Sequence, residues 1–368
     1  MDALISILLN DLQFKDMSWG DVFSCVLVIY VEPFLCSAGF ILNVTCIVVF
    51  LTVWSHGYFR KASLLFYLIA LSICNALQLL LSIFVIVLPA AEQFISPDIF
   101  PREIELLRSV NAETVRYAYP LLMAANYASL WILSLICAQR YQSVCHPWNA
   151  WKHRLAFVRN SKMCIVVVVF TAVALNVIRF WELEKVEGTI RVTPLRYNTW
   201  YKIIQEGIIF GCIVYGFPMA VLLWFNYNTL KLIRVDERHR CRPSAEHRTA
   251  MMTVFVFIFF FLCTTLAASI RLAIILTGNL FASNDYIWLI DLSNLLINVN
   301  ALIMPIVCFV FTRGFRDLFF VVRYAPSSES VELSMKSGKL LLKERRTRSV
   351  SFAAKKTFTT RSLGRTSQ

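Results

Sequence analysis

The sequence predicts an all-α membrane protein: a seven-transmembrane helix bundle followed by a short juxtamembrane amphipathic eighth helix. Three observations predict it. The 368 residues are 58% hydrophobic and only 16% charged, with a mean hydropathy of +0.63, whereas soluble chains run at about 45–50% apolar and about 25% charged. Seven runs along the chain are long enough to cross a hydrocarbon core of about 30 Å, which takes roughly 20 apolar residues. Lys and Arg gather in alternate loops, the charge bias of a multi-pass protein. Gly and Pro, at 11 each, exclude collagen-like and flexible low-complexity chains. The formal charge of +13 lies in loops and tail and in no folded reader module, so nucleic acid is not a predicted partner.

The apolar runs fall near Phe23–Val53, Ser63–Leu88, Tyr117–Ala138, Met163–Phe180, Ile203–Leu232, Ala250–Leu276 and Ile287–Phe311. The third and seventh are interrupted by Asn126, Ser129, Asn294, Asn298 and Asn300, as expected of helices that face a bundle interior. Leu122, Asn126, Ser129 and Leu133 keep helical spacing, so the two polar groups share one face. That pair serves either as helix-to-helix glue or as part of a binding site. After span seven, Phe315, Leu318, Phe319 and Val322 recur at i, i+3, i+4 and i+7, which predicts the eighth helix over residues 312–323. Residues 324–368 are basic and keep no period, so a disordered cytoplasmic tail is expected. Its densest run, Lys343 to Arg348, reads equally as a solvated tail or as a contact with anionic membrane lipid that phosphorylation of the interleaved Ser and Thr would release.

Orientation follows from the short loops. Arg60 and Lys61 lie after span one, Arg140, Lys152, Arg154, Arg159 and Lys162 after span three, and Lys231, Arg234, Arg238, Arg240, Arg242 and Arg248 after span five. The opposite side is richer in acids, with Asp2, Asp11, Asp16 and Asp21 in the first 22 residues and Glu92, Asp98, Glu103, Glu105 and Glu113 before span three. Lys185, Arg191, Arg196 and Lys202 blur the pattern. The balance puts an N-terminus of residues 1–22 outside, the bundle at 23–311 and the tail inside, in a multi-pass plasma-membrane protein. Residues 1–22 have no basic n-region and no small-residue cleavage site, so no cleaved signal peptide is read there. The sequon Asn43-Val44-Thr45 lies within the first span, where glycosylation is implausible. The 11 Cys form no CxxC pair and have no His at metal spacing, so neither a metal nor a cofactor is expected.

At the inner end of span three stands Gln139-Arg140-Tyr141, followed by Pro147 and Trp148. This resembles the Asp-Arg-Tyr motif of rhodopsin-like (class A) G-protein-coupled receptors, with its second-loop Pro seven residues after the Arg. Asn43 in span one, Pro218 in span five, Pro305 in span seven and Phe315-Arg316 with Phe319 match further marks of that family, each in the correct span. Within it, the chain is most similar to invertebrate FMRFamide-type neuropeptide receptors. Tyr67 to Leu71, Asn176 to Glu182, Cys263-Thr264-Thr265 and Ser293 to Leu296 with Asn300 carry that likeness. The departures are as definite. The family's span-two acid is Asn75 here, the acid before Arg140 is Gln139, and the span-six Pro is Leu266. Its span-seven Asn and Tyr are Met304 and Cys308. No Cys lies between Pro89 and Pro120 or between Trp181 and Tyr201, so the family's usual disulfide at the outer end of span three cannot form.

The resemblance implies a receptor that binds an extracellular ligand, an amidated neuropeptide, and activates a heterotrimeric G protein, with arrestin and receptor kinases acting at the tail. The expected coupling and switch residues are Gln139, Arg140, Tyr141, Pro147 and Trp148. Arg140 either contacts the G protein in the active state, with Gln139 as a neutral acceptor at rest, or is one more inward-facing charge. Trp148 serves either a pocket on the G protein or the headgroup layer. Asn43, Asn75, Ser129, Pro218, Asn300 and Pro305 form the expected bundle core. Intramembrane charge is rare and by default functional, so Glu32, Glu206, Arg271 and Asp291, with Asn126 and Asn294, are the candidate ligand-binding residues. Arg271 can pair with Glu206 or Asp291, either as an interhelical ion pair with no ligand role or within a binding site, and in the second case Glu32 is left to take the guanidinium of a ligand ending in Arg-Phe-amide. A small-molecule chemosensory receptor of the same fold is the alternative. A multi-pass transporter is disfavoured by the odd span count and the lack of an internal repeat. An enzyme is not expected, because the five His are scattered without nucleophile or metal spacing.

Overall fold

A computed structural model describes residues 18–55, 63–94, 101–145, 148–186, 189–237, 245–277 and 287–311. Span one runs through Trp19–Cys25, Val26–Val31 and Glu32–Ser55, and span two through Ser63–Ser82, Ile83–Val87 and Leu88–Phe94. Span three is a single helix, Pro101–Val144. Span four is Ser161–Asn176, closed by a tight turn over Val177–Trp181. Span five begins at Thr199–Lys202 and continues through Ile203–Gly216 and Phe217–Glu237. Spans six and seven are Ala245–Thr277 and Ile287–Phe311. The middle segments of spans one, two and five are wound as π-helix, a wider winding that often marks functional sites. Six of the described rods are long and apolar enough to cross a bilayer. The described apolar part of the sixth span, Val254–Ile270, is shorter, within a helix of 33 residues.

Local chemistry explains the boundaries. Span one starts at Trp19 because Ser18 and Asp21 cap it reciprocally, each side chain taking the other's backbone N–H. The expected outer segment of residues 1–22 is therefore helical from Trp19, and its earlier residues lie outside the described set. Span three extends sixteen residues before Tyr117, where Glu105, Arg108 and Glu113 end the hydropathy signal without ending the helix. Asn149 caps a short helix, Ala150–Arg154, in the loop after span three. The strands Leu183–Val186 (β1) and Thr189–Val192 (β2), absent from the sequence-based expectation, form an antiparallel hairpin between spans four and five, with Glu184 opposite Arg191. The eighth helix and the tail lie outside the described residues.

Span one packs against spans two and seven, span three against two, four and five, and span six against five and seven. Span three is the central rod: 72% of its membrane-length window is buried, against 17% for span four. Gly39 allows the closest approach. A Cβ there would meet Leu79 Cδ1 at 2.8 Å and Leu302 Cδ1 at 3.3 Å, so three helices converge where a side chain is missing. One turn on, Asn43 Nδ2 donates to the carbonyls of Gly39 and, across to span seven, Ala301.

Candidate functional site

The end of the bundle that carries the hairpin is organised around a buried guanidinium. Asn176, Arg179 and Glu182 recur every three residues where span four tightens, a winding that brings such residues onto one edge. Arg179 is 1% exposed. Its Nε donates to Asn176 Oδ1 (3.0 Å), Nη1 to Tyr119 (2.7 Å) and Glu182 Oε1 (3.2 Å), and Nη2 to Tyr127 (3.1 Å) and Glu206 Oε1 (2.9 Å). Glu182 also accepts from the Tyr201 hydroxyl. A charge buried this deeply is tolerated when it is paired and fully hydrogen-bonded.

Two cavities adjoin this cluster. One, of about 320 Å³, is lined by Glu182, Arg196, Tyr201, Lys202 and Glu206 on one side and Ser293 and Asn294 on the other. The second, of about 290 Å³, has Ser24 and Asp291 on its polar wall and Val28, Val85, Ile86 and Leu122 among its apolar residues. Tyr119, Met123 and Asn294 line both. Asp291 accepts a hydrogen bond from the Ser24 hydroxyl.

Of the ligand-binding candidates, Glu206, Asp291 and Asn294 thus meet at the paired cavities. Asn126 is buried one helical turn beyond Met123 and lines neither. Sequence reasoning offers Arg271 as the partner of Glu206; the guanidinium that the structure places on Glu206 is Arg179, and the Arg271 side chain lies outside the described residues. Glu32 is fully buried and lines neither cavity, one turn deeper than Val28. Its Oε1 accepts from Asn298 Nδ2 (2.7 Å), while Oε2 accepts no hydrogen bond. Ser82 Oγ and Gln78 Nε2 donate in turn to Asn298 Oδ1, at 3.0 and 3.4 Å, so spans one, two and seven share this polar core.

At the opposite end, Tyr141 is buried with its ring 5.4 Å from those of both Trp224 and Phe225. Arg140 is half-buried. Gln139 does not serve it as a neutral acceptor: the Gln139 amide donates to Ser63 Oγ (3.2 Å), and its Oε1 accepts nothing, because the side chain turns toward span two. Trp148 is 94% exposed, while Pro147 lies outside the described residues. The loop that follows is braced by Gln142 Nε2 on the Lys152 carbonyl, Lys152 Nζ on the Cys145 carbonyl, and Trp151 against Trp224 at 4.6 Å. Asn43, Asn75, Ser129, Pro218 and Pro305 are buried and Asn300 half-buried. The Ser129 hydroxyl turns back to the Asn126 carbonyl on its own helix.

Sequence reasoning missed Arg179, Tyr119, Tyr127 and Asn298 as members of these clusters. The Asn-x-x-Arg-x-x-Glu spacing over 176–182 was the available signal for the first.

No protein-family model matches the chain. Among curated proteins, it is 25% identical over 290 residues to an FMRFamide peptide receptor of Caenorhabditis elegans, covering 73% of this chain and 64% of that one. It is 24% identical over 218 residues to the FMRFamide receptor of Drosophila melanogaster, covering 55% and 38% respectively. A B1 bradykinin receptor of Sus scrofa matches at 24% over 176 residues, 42% of this chain and 49% of the relative. The chain resembles the class A G-protein-coupled receptors. The seven-helix bundle agrees with that likeness, as does a multi-pass membrane setting. The matches span less than two thirds of the length of these relatives, and the relatives are receptors, not enzymes.

Proposed function

We propose that this protein is a class A G-protein-coupled receptor of the plasma membrane that takes an extracellular amidated neuropeptide at the hairpin end and activates a heterotrimeric G protein at the Arg140 end. The positive-inside bias supports an outer N-terminus and an inner C-terminus, with arrestin and receptor kinases meeting the basic, hydroxyl-rich tail. The observation that carries the reading is the pair of adjoining cavities. They have the scale of a ligand site, and they place carboxylates beside an apolar wall. A peptide ending in Arg-Phe-amide fits that division. Glu206 and Asp291 face its guanidinium, Val85, Ile86 and Leu122 receive the ring, and Asn294, common to both cavities, faces the amide.

The test is expression in cells carrying a promiscuous G protein with a calcium readout, challenged with a library of amidated peptides and their free-acid forms. A saturable response to an amidated member, lost when the G protein is inactivated, is expected. Surface-expressed receptor that ignores every peptide but answers small amines would replace the peptide by a small molecule. Silence toward both would remove the receptor reading.

A further inference from the structure

The likeness to FMRFamide-type receptors draws partly on the stretch Asn176 to Glu182, and the proposed function assigns no role to any of its residues. The structure gives the whole stretch a purpose. Its three regularly spaced polar residues all belong to one cluster, and a guanidinium has five N–H donors in a fixed planar fork. Five acceptors receive them: Asn176 and Glu182 on the close of span four, Tyr119 and Tyr127 on span three, and Glu206 on span five. Three spans are thus joined through one side chain. Arg179 itself lines neither cavity, whereas Tyr119, Glu182 and Glu206 do.

The same cluster fastens the hairpin. The Glu182 carbonyl accepts from the Thr193 N–H (3.0 Å), and the Thr193 hydroxyl donates to the Trp181 carbonyl (2.7 Å), which closes the base of β1 and β2. Farther out, Lys185 Nζ reaches Glu113 Oε2 on span three at 3.2 Å, an exposed pair of little strength. Among the described residues, the Arg179 fork is a buried polar tie between span three and the hairpin loop, beside the half-exposed Arg196 over the Tyr119 ring.

The geometry points to Arg179 as the positioning residue of the paired cavities: without touching what enters them, it holds Glu182, Glu206 and the hairpin base in place against span three. It does by hydrogen bonding what a covalent cross-link would do for a chain with Cys in these segments. Only the purpose of the cavities rests on the receptor reading; the holding itself does not.

Purified full-length protein in detergent tests this without any agonist, by melting temperature and amide hydrogen exchange. Three variants decide it. Arg179→Met takes the buried cation away from two carboxylates and should melt roughly 10 °C lower. Arg179→Lys keeps the charge but supplies three donors on a compact head, so exchange over residues 183–206 should rise roughly tenfold while spans one, two and seven keep wild-type protection. Arg179→Met with Glu182→Gln and Glu206→Gln removes the three charges joined by the fork and leaves the half-exposed Arg196, 3.9 Å from Glu182 in the wild type, facing a neutral amide. It should recover most of the melting temperature yet keep the fast exchange at 183–206, because neutral groups pack without forming the fork. Wild-type protection in the Lys variant would overturn the assignment, since charge alone would then suffice. So would exchange that rises evenly over the bundle, which marks a general stabiliser, or full recovery of protection in the triple variant, which marks packing. A failed peptide screen leaves all three readings intact and removes only the ligand from the argument.

Discussion

At Glu32 a carboxylate is fully buried with one oxygen on Asn298 and the other accepting nothing. Removing that charge while keeping the acceptor should stabilise the protein: Glu32→Gln is expected to raise the melting temperature by about 3 °C or more, read by thermal unfolding in detergent. A lower melting temperature would mean that Oε2 has a partner of its own. Since Glu32 lines neither cavity, the same substitution should leave peptide potency within about twofold, whereas Glu206→Gln should cost about two decades. Equal losses at both sites would return Glu32 to the ligand. Gln139 is the second residue of this kind. Its side chain serves Ser63, so Gln139→Asp both removes that bond and sets a carboxylate beside Arg140. Basal G-protein signalling should fall at equal surface expression, and a rise would count against a resting contact there. Intramembrane charge made Glu32 and Glu206 legible in the sequence, because an ionised group in an apolar run stands out. Arg179 was not. It sits at the end of a span, where positive residues are common, and its partners Tyr119, Tyr127 and Glu206 lie 60, 52 and 27 residues away.

Between elements, packing is set by the smallest side chains and by caps. At Gly39 the nearest obstacle to a Cβ is the tip of Leu79, a flexible methyl, with Leu302 behind it. Gly39→Ala should therefore be close to neutral, and Gly39→Val should lose about 1–3 kcal/mol of stability by forcing spans one, two and seven apart. A melting series of the two variants checks this; an Ala loss as large as the Val loss would show that Leu79 cannot give way, and no loss at Val that the three helices have room to spare there. Every span but the third was legible from hydropathy to within about six residues at either end, the sixth through its apolar run. The early start of span three and the hairpin were not. Glu105, Arg108 and Glu113 look like loop to a hydropathy window although helix tolerates them. The short run Leu183 to Val192 alternates too briefly to show a period of two.

For the molecule as a whole, the absence of Cys from the segments around the hairpin carries a solution prediction. Incubation with dithiothreitol should leave both melting temperature and exchange at 183–206 unchanged, and a reductant-sensitive melt would reveal a bridge. Topology is open to a second check: tags at the two chain ends should stain intact cells only at the N-terminus, as the loop charges require. Span three sets a further condition. At 44 residues it is about 66 Å long, more than twice a hydrocarbon core of about 30 Å. Over half of its length is therefore more than the hydrocarbon needs, and toward its outer end Arg108 meets Glu92 and Glu113 meets Lys185 in exposed pairs. A rod of this length is a lever with a long arm outside the hydrocarbon. On the proposed reading, a peptide too large to enter the bilayer would load that outer arm, which is continuous with the helix that carries Arg140.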